Sequence, residues 1–449
     1  MTWKGLGKRK PSSYTAPSKM IPTHPSFISW RRKQVGKEEK TIHDPIHGSL
    51  RVGGPYLDLL DTPEMQRLRG IRQLGMAYLV FPGGNHSRFE HSLGVLHLVK
   101  KFGELQGLGE EELLLLGAAA LLHDIGHPPF SHTLEALMLE KLGKDHVEMG
   151  CELVEGKTSF LRGEEIRTEN LPEKLEKWGI KPKEVASLLG KRHKKRYLVE
   201  LLSSEVDLDQ MDFLLRDAHF TGVALGMIDV ERLLSTLVVQ GNHLMILSKG
   251  IEAVEGMLTA RALMYSSVYF HPTVRAAELM LANAVEWSIQ EGKSPMELYV
   301  KTDGELLEEL KRMEGYGKEM VLRLKYRRLF KSAYEERRRR LEGRERESFL
   351  KRFRGWSSLL NLQEEIADKA KVPRGYVLLD IPLVDLFLSE PRMEEVEIPV
   401  LLEKGKTKLS EISPIAEALR KTLASRYLLR VLTLPELVEK VRKAALKIL

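Results

Sequence analysis

Cysteine is almost absent: Cys151 is the one thiol in 449 residues. A single cysteine excludes an intramolecular disulfide and suits a reducing compartment, so a cytoplasmic location is expected. Long apolar runs are absent as well. The longest, near residues 113–122, has the length of a core helix and not of a membrane span. The N-terminus, Met1-Thr-Trp-Lys-Gly-Leu-Gly-Lys8, has basic residues with no apolar segment behind them and does not read as a secretory signal. Asparagine is scarce, five residues against 70 Lys and Arg and 63 Asp and Glu, a balance common in heat-adapted proteins. A strong excess of either charge is missing too. The formal charge of +7 comes from heavily interleaved acids and bases and reads as a solvated ion-pair surface. A dedicated nucleic-acid partner is therefore the less favoured reading, and a polyanionic small molecule would use the same excess locally.

What is present is globular. Hydrophobic content of 43% with 30% charge fits a packed chain, long enough for a large core and two lobes. Residues 1–38 are polar and basic, punctuated by Pro11, Pro17, Pro22 and Pro25, and read as a loosely ordered arm. Residues 39–290 read as a mostly helical core. Thr62 is an expected N-cap with Pro63 at the first helical position. Met65, Leu68, Ile71 and Leu74 then form one stripe, and Gly75 is expected to stop that helix. Residues 291–371 are charged and read as helical, the run Glu335-Glu-Arg-Arg-Arg-Arg340 being most simply a solvated helix face. From 372 the texture changes. Tyr376-Val-Leu-Leu-Asp-Ile381 and Val396-Glu-Ile-Pro-Val-Leu-Leu402 are β-rich, with helices expected over 411–423 and 434–448. The expected fold is mainly α: a helical core and a smaller α+β C-terminal lobe over 372–449.

The chemistry concentrates in a few polar residues set in apolar surroundings. His123-Asp124 ends the helix Leu113-Leu-Leu-Leu-Gly-Ala-Ala-Ala-Leu-Leu122, where an imidazole and a carboxylate each need a partner once water is excluded. A metal ion suits both. With His91 and Asp209 they make two imidazoles and two carboxylates from separate helices. That set suits an octahedral Mn, Fe, Ni, Co or Mg ion better than a closed zinc site, and leaves positions for water and a phosphate oxygen. Arg88 lies three residues before His91 on the same expected helix, pairing a guanidinium for phosphate with an imidazole for metal. Asp209, Phe213, Arg216 and Asp217 share one helix face, and Asp212 with Arg216 reads as a simple i,i+4 ion pair. His127, His132 and His146 are candidates for proton transfer.

Six blocks in order carry a family resemblance. They are Asp44-Pro-Ile-His-Gly48, Thr62-Pro-Glu-Met-Gln-Arg-Leu-Arg69, Gln73-Leu-Gly75, Phe81-Pro-Gly-Gly-Asn-His-Ser-Arg-Phe-Glu-His-Ser-Leu-Gly94, His123-Asp-Ile-Gly-His-Pro-Pro-Phe-Ser-His132 and Asp209-Gln-Met-Asp-Phe-Leu-Leu-Arg-Asp217. The chain resembles the HD-domain phosphohydrolases, in the branch related to the animal SAM-and-HD-domain dNTP triphosphohydrolase. The resemblance implies a dNTP substrate, a divalent metal, and release of deoxynucleoside and triphosphate. It implies that His127 and His132 line the phosphates, that His132 protonates the leaving 5′ oxygen, and that Glu135 and His146 assist. Gln73 and Leu74 match residues that close around the 3′ hydroxyl; Arg88, Asp217, Arg261 and Tyr269 match contacts to phosphate and sugar. Lys40, Asp44, Asp61, Gln66 and Arg69 match positions where the animal enzyme holds a guanine nucleotide at a subunit junction, implying a GTP or dNTP activator and a homo-oligomer, dimer or tetramer.

Four departures accompany the match. His146-Val147-Glu148 replaces the family's His-Glu, which leaves open whether Glu148 takes over that carboxylate's role. Gln210 stands where the animal enzyme has lysine, Phe213 where it has tyrosine, and His43 where it has asparagine. Blander readings stay open: a structural His146, an aromatic core stripe at Tyr265 and Tyr269, and exposed helix residues at Gln66 and Arg69. The rival functions are an HD phosphodiesterase or nucleotidase acting on another phosphate ester, and a nucleotide-binding regulatory protein.

Overall fold

The computed structural model describes residues 39–160, 170–337, 343–353, 355–382, 398–420 and 429–449. The arm expected over 1–38, most of the arginine run, residues 396–397 of the second β-rich stretch and residues 421–423 of one expected helix lie outside the described residues. Strands β1 (Glu39–Asp44) and β2 (Gly48–Gly53) open the fold as an antiparallel hairpin. Leu50 and Val52 point inward at a two-residue period, and Gly48 takes φ +76° at the turn.

Helix α1 (Pro63–Arg67) starts as expected, with the Thr62 hydroxyl accepting from Met65 N–H. Its end does not match the expectation. The chain tightens into a 3₁₀ turn at Leu68–Gly70 and leaves helical geometry at Ile71. Backbone pairing with the next segment explains this: Arg88 N–H donates to Ile71 O (2.9 Å) and Gln73 N–H to His86 O (3.0 Å). Met65, Leu68 and Ile71 are still fully buried, so the apolar spacing marked core without marking helix.

Helix α2 (Arg88–Gln106) begins with a capping box between Ser87 and Glu90 and ends at left-handed Gly107. A short loop returns the chain along it as α3 (Glu110–Leu122). Helices α4 (His132–Leu142), α5 (His146–Val154) and α6 (Leu208–Thr221) follow, α6 capped by the Asp207 carboxylate. Packing of α2 on α6 is close at Gly94, where a Cβ would sit 1.8 Å from Asp212 Oδ1.

Two short strands, β3 (Leu237–Gln240) and β4 (His243–Leu247), interrupt a stretch that reads as helical. Helix α7 (Ile251–Met264) then widens into a π-turn over Tyr265–Tyr269 before α8 (Pro272–Gln290), which the His271 side chain caps. Tyr265 and Tyr269 thus stand on a π-turn and not on a regular α-helical stripe. Helix α9 is Asp303–Arg312. Strand β5 (Lys331–Glu336) corrects the helical reading of its stretch; its polar residues lie on a sheet edge, and pairing sets their conformation.

The C-terminal region supplies β6 (Val377–Asp380), β7 (Pro399–Leu402), β8 (Gly405–Lys408), β9 (Leu429–Thr433) and a last helix, α10 (Val438–Ile448). One sheet runs β3-β4-β7-β8, with β4 and β7 parallel; another is antiparallel in the order β5-β9-β6. In the second sheet Leu378 and Leu432 face the main core, while Val377, Leu379, Leu429 and Val431 face a second core with Ile366, Val441 and Ala445. Both faces of β6 and β9 are therefore covered, and every residue of the two strands is buried, including Arg430 and Asp380, which pair with each other. The whole is a mainly helical core with a smaller C-terminal lobe of mixed sheets and helices. Among the described residues no helix is long and apolar enough to cross a membrane.

Candidate metal centre and cleft

Helices α2, α3 and α6 bring four donors together. His91 Nε2 lies 3.2 Å from His123 Nε2 and 2.9 Å from Asp209 Oδ1, and His123 Nε2 lies 3.3 Å from Asp124 Oδ1. Two donors held at about 2.1 Å from one ion and at right angles are about 3 Å apart, so His91, His123 and Asp124 fit a single divalent cation, with Asp209 beside His91. The far nitrogen of each imidazole is tied back. His91 Nδ1 donates to Asp212 Oδ2 (2.8 Å) and His123 Nδ1 to Ala120 O (2.8 Å), which orients both Nε2 atoms toward the same point. A divalent metal site of this composition is what the residues can hold.

Behind His91 lies a buried charge network. The Asp212 carboxylate accepts from Arg216 Nε and Nη2, and from His47 Nε2 at 2.6 Å, while Arg216 Nη1 donates to Asp44 Oδ2 at 2.7 Å. Burial opposes ionisation of Asp212, yet Arg216, His47 and His91 hold its carboxyl well below the usual range. Burial likewise works against a proton on His91, but hydrogen bonds with Asp209 and Asp212 outweigh it and raise the imidazole to about 10. Asp124 is kept ionised against burial by Arg88, His123 and His127. Asp44, expected at an effector site, packs next to this network. It is buried, Oδ1 accepts Ile46 and His47 N–H, and Oδ2 accepts Arg216. Both oxygens are engaged within the chain, and through Arg216 Asp44 joins the network behind His91.

Beside the donors stands a histidine group. The His127 ring stacks on His146 with centroids 3.9 Å apart, and His132 meets His127 edge-on at 5.0 Å. Gly126 permits this contact, since a Cβ there would meet His146 O at 2.0 Å. Glu135 joins His132 (2.7 Å) and His146, one carboxylate oxygen each. Burial disfavours the Glu135 carboxylate, but the two imidazoles hold it well below the usual range; burial also disfavours a charged His146, which Glu135 outweighs and raises. His127 is pushed far down by burial, with Arg88 and His146 adding to it. Glu148 has a local task instead, accepting from Asp145 N–H in a capping box at the start of α5. Glu135, and not Glu148, is the carboxylate bonded to His146.

A cleft open to solvent runs past His132, Glu135 and Arg88. Gln73, Leu74, Phe213, Asp217, Tyr265 and Tyr269 line it, so the π-turn presents its tyrosines to the cleft. Arg88 Nη1 donates to Asp124 Oδ2 (2.5 Å) and Nε to Ser131 Oγ (2.5 Å), while its buried Nη2 has no hydrogen-bond partner. Gln73 Oε1 is buried without a partner as well. Asp217 is fixed from both sides, by His86 Nε2 (2.7 Å) and the Tyr269 hydroxyl (2.6 Å). Arg261 does not line the cleft; its Nη1 donates to Gln210 Oε1 (2.5 Å). Lys40, Asp61 and Arg69 are exposed on the hairpin and around α1, and Arg69 Nε donates to Gln66 Oε1 (2.9 Å).

His47 and His86 were not singled out by sequence reasoning, although both stand inside the ordered blocks. Asp212 was read only as the partner of Arg216. A histidine inside a block, or an acid three residues from a ligand acid, is the signal that could have marked them.

Comparison with known proteins finds matches to two family models. The HD domain matches residues 88–214, and an HD associated region matches residues 228–449. An uncharacterized protein of Methanocaldococcus jannaschii is 33% identical over 417 residues, covering 91% of this chain and 82% of that protein. The deoxynucleoside triphosphate triphosphohydrolase SAMHD1 of Homo sapiens is 29% identical over 346 residues, 65% of this chain and 54% of its own length, so the match spans about half of that enzyme. A crystal structure of a hypothetical protein from Aquifex aeolicus superposes with a TM-score of 0.68 at 29% identity, covering 91% of this chain and all of the other.

Proposed function

We infer that this chain, which belongs to the HD-domain phosphohydrolase superfamily, is a metal-dependent dNTP triphosphohydrolase releasing deoxynucleoside and inorganic triphosphate. One observation carries the choice of substrate. Two buried polar groups without hydrogen-bond partners, Arg88 Nη2 and Gln73 Oε1, both belong to residues of the cleft beside the metal ligands. A donor suited to a phosphate oxygen and an acceptor suited to a sugar hydroxyl match the two ends of a deoxynucleotide's sugar-phosphate. Leu74, beside Gln73, would exclude a 2′ hydroxyl.

His91, His123, Asp124 and Asp209 would hold the ion, which when bound supplies Lewis-acid activation of water and phosphate. Arg88 neutralises charge on the phosphate oxygens. Water attacks the α-phosphorus, the bond from that phosphorus to the 5′ oxygen breaks, and His132 gives the 5′ oxygen its proton. Nearly half of the His132 side chain is exposed, and Glu135 orients its ring through Nδ1, leaving Nε2 for the leaving group. Asp217 and Tyr269 position the sugar. Lys40, Asp61, Gln66 and Arg69, with the buried Asp44, make up the effector site for a guanine nucleotide or dNTP. Departures at Gln210 and Phe213 belong to this reading too: Arg261, bonded to Gln210, is not among the cleft residues and is not assigned to the substrate.

Paired variants test the assignment. Asp209→Ala should lose metal and dNTP turnover together while the fold survives. His132→Ala should keep its metal and lose about two to four orders of magnitude in turnover, the usual general-acid contribution. Full metal content in Asp209→Ala, or less than tenfold loss in His132→Ala, contradicts the roles given.

A further inference from the structure

Two consecutive non-glycine residues, Phe130 and Ser131, have positive φ, +57° and +52°, Ser131 with ψ −123°. That conformation is disfavoured for residues bearing a Cβ, and persists where surrounding contacts over-determine it. It occurs immediately before His132, the first residue of α4, so it sets the direction in which that helix and its histidine leave the loop.

The contacts that fix it come from the far side of the chain. Asp303, at the start of α9, is 1% exposed. Its Oδ1 accepts the Phe130 N–H at 2.7 Å, and its Oδ2 accepts the Arg72 N–H at 3.0 Å, with Arg72 Nη1 at 3.4 Å. Ser131 closes the ring: its hydroxyl donates to Arg72 O at 3.1 Å and accepts from Arg88 Nε at 2.5 Å. From Arg88 the contacts pass directly to Asp124. An acceptor-only side chain with two oxygens is what two converging N–H groups require. The segment before Asp303 is clamped as well. Arg67 donates to the carbonyls of Tyr299, Val300 and Lys301 and also to that of His127, the Tyr299 hydroxyl donates to Gly126 O, and Gly70 leaves no room for a Cβ against Thr302. Burial raises the Asp303 carboxyl above the usual range, so the group sits there at a cost that local helix capping does not explain.

We propose that Asp303 is a positioning residue for the cleft, joining the Phe130–Ser131 turn to the Arg72 segment and so setting Ser131, Arg88 and His132 relative to the metal ligands. This acts on the same site as the proposed reaction, but the clamp holds whatever phosphate ester occupies the cleft.

The test uses the metal-loaded full chain and Asp303→Asn, whose carbonyl oxygen keeps one acceptor while its amide opposes the other N–H. Asp303→Asn should keep metal content and fold, exchange the amides of residues 128–132 faster, and lower kcat about ten- to a hundredfold with KM within about twofold. Glu305→Gln, which weakens the same helix start at its capping box, should leave kcat unchanged. Wild-type kcat and exchange in Asp303→Asn, or equal kcat losses in both variants, would overturn the proposal. Fast exchange of the Phe130 amide in the wild-type protein would overturn it without any variant. Absence of dNTP turnover in the wild type would instead remove the proposed substrate, and the exchange measurement would still decide on the clamp.

Discussion

His91 faces two carboxylates in opposite senses. Asp209 stands on its metal side and Asp212 behind it, and Asp212 is itself fixed by Arg216 and His47. Removing the charge of Asp212 should therefore weaken the centre without touching a metal donor. Asp212→Asn is expected to cost about 10- to 100-fold in metal affinity or activity, the range usual for partners that orient a ligand. Equilibrium dialysis with Mn measures it; unchanged affinity would mean that the network serves packing alone. At this scale the sequence was legible where a polar residue interrupts an apolar run, as at His123-Asp124. It was opaque where a side chain's partner lies far along the chain. His86 meets Asp217 across 131 residues, and Phe130 meets Asp303 across 173. No local period encodes such pairs.

Among elements, the contact between α2 and α6 decides how the ligands meet. Gly94 lies one turn beyond His91, and a methyl there would meet Asp212 Oδ1 at 1.8 Å and Arg216 Nη2 at 2.5 Å. Gly94→Ala should lower unfolding free energy by about 1–3 kcal/mol, as overpacking usually does. It should reduce metal affinity in parallel, by separating the helices that carry His91 and Asp209. Denaturant titration with metal analysis checks both; wild-type values for each would show that the helices part freely. The helix start at Thr62-Pro63 was readable from the sequence, because caps are local chemistry. The stop of α1 and the π-turn were not, because backbone pairing with residues 86–88 and presentation of Tyr269 to Asp217 are tertiary events. Strand β5, polar and charged, takes its conformation from β9.

At the scale of the whole molecule, the exposed Lys40, Asp61 and Arg69 with half-buried Gln66 lie on a hairpin and helix start, and Arg67 of that same helix grips the loop that carries His127. A ligand bound there is mechanically close to the cleft. If a guanine nucleotide or dNTP binds with different affinity to two states of the chain, GTP should raise turnover of a non-activating dNTP and shift mass toward a dimer or tetramer. Light scattering alongside turnover reads this out. Identical rates and identical mass with and without GTP would leave a constitutive hydrolase. The mainly helical core with its smaller mixed lobe was legible from composition and pattern. The β3-β4-β7-β8 sheet was not, because it joins residues 237–247 to 399–408 and neither piece announces the other.

Hydrolysis of each dNTP in ¹⁸O-labelled water, with Mn or Mg present, tests the central claim most directly. The account predicts unlabelled deoxynucleoside, and inorganic triphosphate carrying one solvent oxygen on the phosphorus that was α. Deoxynucleoside monophosphate with pyrophosphate, label in the nucleoside, or turnover confined to phosphodiesters would contradict it.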